Sequence, residues 1–180
     1  MIILRRLTSG FVVCILASIL MFSAVVSAES SQQMTLYSEE AETNTNNDYR
    51  EAVLELVNVE RAKHNLSPLR MSNELLAGAA IRAKELTVLY SHTRPDGTSC
   101  KTVIAGANRY IGENIAAGYI TPKDVVTGWM NSAGHRANIL NPNFEELGVG
   151  YIHVDNDPNI YCNYWVQIFR GKYRVPYSYK

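Results

Sequence analysis

The chain is 180 residues long, with 17 basic residues balancing 17 acidic ones and hydrophobic side chains making up 47% of it. That is enough apolar material for one folded domain with its own core. The balance of charge leaves no basic stripe of the kind a nucleic-acid binder presents, so no nucleic-acid partner is expected.

Arg5 and Arg6 precede an almost unbroken apolar run, Gly10 to Val26, and Val26-Ser27-Ala28 then places small residues at cleavage-type positions. The pattern predicts a secretory signal peptide over residues 1–28. A retained membrane anchor is the alternative. The run is near the lower limit of about 17 residues for a span, however, and no stop-transfer charges follow it. After cleavage no membrane span is expected, and the protein is placed outside the cell or in its envelope. Cys14 lies inside the run behind Phe11-Val12-Val13, unlike a lipid-attachment cysteine. Two cysteines remain, Cys100 and Cys162. An oxidising compartment allows a disulfide between them, worth on the order of 4 kcal/mol of loop closure. Two buried free thiols are the equal alternative, because spacing does not report the Cα separation.

Residues 29–47 (ESSQQMTLYSEEAETNTNN) are poor in aliphatics and predict a disordered polar spacer. From Asp48 the composition turns globular, giving one domain over residues 48–174 and a short tail, 175–180. Asp48 is a good N-cap for a first helix in which Val53, Leu56 and Val57 recur at helical spacing. Asn65 and Pro68 end it. Ser72 predicts the start of a second helix reaching Tyr90, with Leu75, Ala79, Ala83 and Leu86 on one face and small alanines that let another layer approach. A short helical piece is expected around Ser99–Gly106. Thr121-Pro122-Lys123-Asp124 is the strongest start signal, with a capping threonine and a proline at the first helical position. That helix should fail near Ser132 to Gly134, followed by a further turn through HRANIL. Strands are expected at Gly112–Gly118, at Leu147–Val154, and through IYCNYWVQIF, the last two forming an antiparallel hairpin around the turn residues DNDPN. Helices before and between antiparallel strands make an α+β layered domain.

Four histidines are candidates for chemistry. His64 complements the end of the first helix, and His153 lies on the solvent side of a strand. His92 is held next to the Pro95-Asp96-Gly97 turn, yet remains reachable. His135 follows the fourth helix in a similar setting. Glu113, between Gly112 and Asn114 in an apolar segment, needs a partner if it is buried: a histidine, a metal, or backbone N–H groups. Two imidazoles and a carboxylate would suit a divalent metal or a protonation-coupled pair, and a purely structural Glu113 is the alternative. Ser132, three residues before His135, is a candidate nucleophile without a G-x-S-x-G elbow. Cys100 carries no local signature.

The segments VNVERAKHNLSPLRMSNELLAGAAIRAKEL, SHTRPDGTSC, IGENIAAG, VVTGWMNSAGHRANILNPNFEELGVGY and YWVQIF resemble, in order, the motifs of the bacterial branch of the CAP superfamily. That group contains the cysteine-rich secretory proteins, antigen 5 and the plant pathogenesis-related proteins. The resemblance implies an α-β-α sandwich with a central antiparallel sheet flanked by helices. It also implies a shallow cavity built by two histidines and acids, in some members occupied by zinc or another divalent cation. Carried onto this chain, His92 and His135 are the histidine pair and tentative metal ligands. Glu113 in GEN is one acid, and Asn114 and Ser132 adjoin the cavity. The second glutamate that animal and plant members carry after the helix tryptophan is missing, since Trp129 is followed by Met130, Asn131 and Ser132. The function expected is therefore an extracellular binding module for a small molecule, lipid, peptide or cell-wall component, or for a divalent metal such as zinc. The alternative is a hydrolase of peptide or cell-wall bonds. It would use a metal-bound water with Glu113 as base, or Ser132 with His135.

Overall fold

The structure, a computed structural model, describes residues 9–105 and 110–171, with side chains described from residue 31 onward except at 37 and 42. The expected tail, the residues before Ser9 and the end of the Ser99–Gly106 piece lie outside the described residues. The chain divides into two units, residues 1–45 and 46–180.

The described residues of the first unit, 9–45, are all helical and belong to α1 (Ser9–Lys63). Residues 29–47, expected as a polar spacer, are part of this helix, which therefore does not start at Asp48. Residues 29–47 contain no proline or glycine to break a helix. The hydroxyls of Thr35, Thr43 and Thr45 bond back to carbonyls one turn earlier. The side chains described there are nearly all exposed, so this segment buries almost no apolar surface. Among the residues whose side chains are described, no helix is long and apolar enough to cross a membrane.

In the second unit, α1 ends as its sequence predicts, with Asn65 at φ 56° in the left-handed region beyond Lys63. Strand β1 (Arg70–Met71) was not foreseen: it pairs parallel with Glu146 and Leu147 and makes the sheet mixed rather than wholly antiparallel. The remaining elements are α2 (Asn73–Leu86), a 3-10 turn (Cys100–Val103), β2 (Tyr110–Ala117), α3 (Pro122–Asn131), α4 (Ala133–Ile139), β3 (Phe144–His153) and β4 (Asn163–Gly171). The Thr121 cap is present, its hydroxyl accepting from the Asp124 N–H at 3.2 Å and donating to the Asp124 carboxylate at 2.7 Å. Ser72 caps α2 without a side-chain hydrogen bond and instead accepts from Arg170.

The sheet order is β1-β3-β4-β2. Every residue of β4 is buried, because both faces of this inner strand are covered. Trp165 and Phe169 point into one core with Val53 and Val57 of α1, Val125, Val126 and Trp129 of α3, and Ile139 of α4. Tyr164, Val166 and Ile168 point into the other, with Leu75, Ala79, Ala83 and Leu86 of α2. Period-2 alternation thus divides one apolar strand between two helical layers, and the fold is an α-β-α sandwich. The α2 layer sits close because β3 offers glycines: a Cβ at Gly150 would fall 2.1 Å from the Ala79 carbonyl oxygen.

The expected strand from Ile160 begins only at Asn163. Asp157 is buried, and its carboxylate accepts from the N–H groups of Asn159, Tyr161 and Cys162 and from the Tyr164 hydroxyl. These bonds hold Ile160 (φ 62°) and Cys162 (φ 60°) in left-handed conformations no strand can use.

Candidate functional site

The site forms around β2, at the end of the sheet order. Alternation sends Glu113 toward the α2 layer and Asn114 toward the α4 layer. Glu113 has a side chain only 3% exposed and is fully engaged. Arg82, completely buried on the inner face of α2, donates from Nε to Glu113 Oε2 at 2.8 Å. Its other nitrogens reach Glu85 at 2.7 Å and the Ser91 carbonyl at 2.6 Å. Arg94 then closes on Glu85 at 2.6 Å. The remaining Glu113 oxygen, Oε1, meets His92 Nδ1 at 2.8 Å.

Arg82 is the residue that sequence reasoning missed. Its signal was present: an arginine between Ala79 and Ala83 on the apolar face of a helix must be paired if buried, and Glu113 was the acid lacking a partner.

His92 and Cys100 flank a small hairpin. Thr93 and Ser99 form a bridge across it, the Cys100 N–H donates to the His92 carbonyl at 3.0 Å, and Gly97 at φ 83° makes the turn. A turn centred on Pro95-Asp96-Gly97 brings the residues on either side back together, a signal from which the pairing of His92 with Cys100 could have been read but was not. Potential ligand atoms of His92, Cys100 and Glu113 all lie within 4.8 Å of one another. Hydrogen bonding to Cys100, then to Glu113, raises the His92 imidazole to about 9.

Cys100 and Cys162 are free thiols in this structure. Cys162 precedes Asn163, whose carbonyl accepts from the Gly118 N–H beyond the end of β2. Glu113, beside Cys100, lies farther back on that strand, on the order of 15 Å away at about 3.3 Å per residue. A bridge needs Cα atoms within about 4.4–6.8 Å.

His135 lies in the first turn of α4 and is half-buried. Burial, and secondarily the positive charge of His92, lower its pKa, favouring the neutral imidazole. It is not one of the three converging ligand residues. Its main chain is held by Asn114, whose Nδ2 donates to the His135 carbonyl at 3.1 Å and to Gln167 at 3.0 Å. The Asn114 Oδ1 accepts from Asn138 at 2.8 Å. Asn114 is fully buried, and its hydrogen bonds tie β2 to α4 and β4. Ser132 ends α3 and starts α4, with no side-chain capping bond. Among the described residues no hydrogen bond joins its hydroxyl to His135, since both belong to one helical turn whose bonds run through the backbone. A shallow cleft of about 490 Å³ lies beside α3, lined by residues including Tyr119, Ile120, Asp124, Thr127 and Asn131.

Residues 54–169 match the family model described as the cysteine-rich secretory protein family, CAP. The chain belongs to this family. The CAP chain is 38% identical over 129 residues to the uncharacterised protein YkwD of Bacillus subtilis, an alignment covering 69% of this chain and 48% of that protein. It thus spans about half the length of that curated relative. Its fold is similar to an extracellular protein containing an SCP domain from Bacillus anthracis, with TM-score 0.60 and 29% identity, covering 71% of this chain and 41% of that one. An outer surface protein from Borrelia burgdorferi shares the fold at TM-score 0.60 and 22% identity, covering 68% and 92%.

Proposed function

We propose that the protein is secreted after removal of residues 1–28 and acts as an extracellular binding module. It would take a small molecule, lipid, peptide or cell-wall component at the face bounded by His92, Glu113 and His135. The observation that carries this reading is the engagement of Glu113. A carboxylate that is 3% exposed and bonded to both Arg82 and His92 is shielded from the water or hydroxyl proton that a base would have to take. A general base needs a free oxygen within reach of a water or hydroxyl proton. The lack of a hydrogen bond between Ser132 and His135 among the described residues supports the same reading. Relatives that are extracellular or surface proteins support the location.

The test is to incubate the mature chain with cell-wall digests and lipid extracts and follow it by native mass spectrometry alongside product analysis. A bound ligand, weakened in His135→Ala and accompanied by no turnover, is expected. Cleavage of a peptide or cell-wall bond that disappears in Glu113→Gln would overturn the proposal in favour of a hydrolase.

A further inference from the structure

We infer that Cys100, His92 and Glu113 form a binding site for a thiophilic divalent metal, with the Cys100 thiolate as a direct ligand and His135 outside the coordination sphere. The CAP resemblance implies a metal between His92 and His135. The donor set of this chain fits a metal differently. One sulfur, one imidazole nitrogen and one carboxylate oxygen already converge within 4.8 Å of one another. Ligand atoms around a tetrahedral zinc ion stand about 3.5 Å apart, given bond lengths of about 2.0–2.3 Å. The remaining adjustment falls on His92, whose side chain at 58% exposed is the least packed of the three.

The other two donors are held in place. Cys100 is buried and tied by its backbone N–H to the His92 carbonyl, so the hairpin sets sulfur and imidazole side by side without a metal. Arg82 anchors Glu113 chiefly through Oε2 at 2.8 Å and reaches Oε1 only at 3.4 Å, so Oε1, the oxygen facing His92, is the less tightly held ligand atom. Arg82 is in turn fixed by Glu85 and the Ser91 carbonyl, an outer shell of the kind that orients metal ligands. On binding, the ion would take the place of the proton between Nδ1 and Oε1, and that proton and the thiol proton would both leave to solvent. Glu113 and the thiolate then carry two negative charges against the single positive charge of Arg82, which leaves a net attraction for a divalent cation.

The sulfur decides the class of metal. Zinc and its surrogate cobalt accept thiolate and imidazole together, whereas magnesium and calcium require oxygen ligands. A site using His92 and His135 would contain no sulfur, so the two arrangements differ spectroscopically.

Cobalt(II) is titrated into the metal-free, reduced full chain, and the near-ultraviolet thiolate-to-cobalt charge-transfer band is followed. The expected result is a saturable 1:1 band that zinc abolishes and magnesium does not. It is absent in Cys100→Ser, needs at least tenfold more cobalt in His92→Ala, and is retained in His135→Ala and Cys162→Ser. No band in the wild type, a band that survives Cys100→Ser, or one lost in Cys162→Ser overturns the inference. If Cys100→Ser does not fold by circular dichroism, thiol alkylation of the wild type decides. Zinc should slow modification of Cys100 at least tenfold and leave Cys162 unchanged, and equal rates with and without zinc refute the site.

Discussion

Arg82→Met removes the guanidinium from Glu113 while keeping most of the length and apolar contact of the side chain. In the folded protein Arg82 is 0% and the Glu113 side chain 3% exposed, so water cannot replace the lost partner. Breaking a buried ion pair from one side costs about 3–5 kcal/mol, because the other charge is left behind. Two features lower this figure: His92 remains 2.8 Å from Oε1, and Glu113 can take up a proton instead of staying charged. The expected loss is therefore about 3 kcal/mol, a large part of the 5–15 kcal/mol typical of a domain. Glu113→Gln should cost less, about 1–2 kcal/mol, because Arg82 keeps Glu85 and the Ser91 carbonyl. The double variant should be more stable than the sum of the single losses predicts, by about 0.5–3 kcal/mol. Urea unfolding of all four proteins measures this through midpoint shifts at a common slope. A loss below about 1 kcal/mol for Arg82→Met, or additivity within about 0.5 kcal/mol, would refute the reading of Arg82 and Glu113 as a coupled buried pair.

Gly150→Ala places a methyl group against the Ala79 backbone, which cannot move without shifting α2, and should cost at least about 1–3 kcal/mol in the same urea assay. Asn114→Ala leaves Gln167 and Asn138 without their shared partner; a loss of about 1–3 kcal/mol is expected, with a displaced His135 imidazole resonance by NMR. In chelator-treated protein, the folded-state pKa of His92 is raised from 6.5 to about 9. Its stabilising contribution is therefore complete below about pH 6.5 and is lost as the pH rises through about 9. Thermal unfolding across this window should show a decline that is flatter in His92→Ala, and identical pH profiles would contradict the His92–Glu113 pair.

Much of this protein was determined locally, and so could be read from the sequence. The Thr121-Pro122 start, Asn65 at the end of α1 and the alternating apolar strands depend on neighbours a few residues away, where backbone geometry and side-chain period set the outcome. Histidine 92, histidine 135 and Glu113 were recognisable as candidates because polar groups at turns and in apolar segments stand out from their surroundings. What tertiary structure decided was pairing. Arg82 meets Glu113 only because α2 lies across one face of the sheet, and Asn114 becomes a buried strut because the next residue of β2 faces the other helical layer. Cys100 faces His92 rather than Cys162 because a tight hairpin joins the first two, while β2 and β4 carry Cys162 to the far end of the sheet. The acid's partner, and with it the contrast between a shielded carboxylate and a free base, depends on contacts between residues 31 positions apart, which no local pattern encodes.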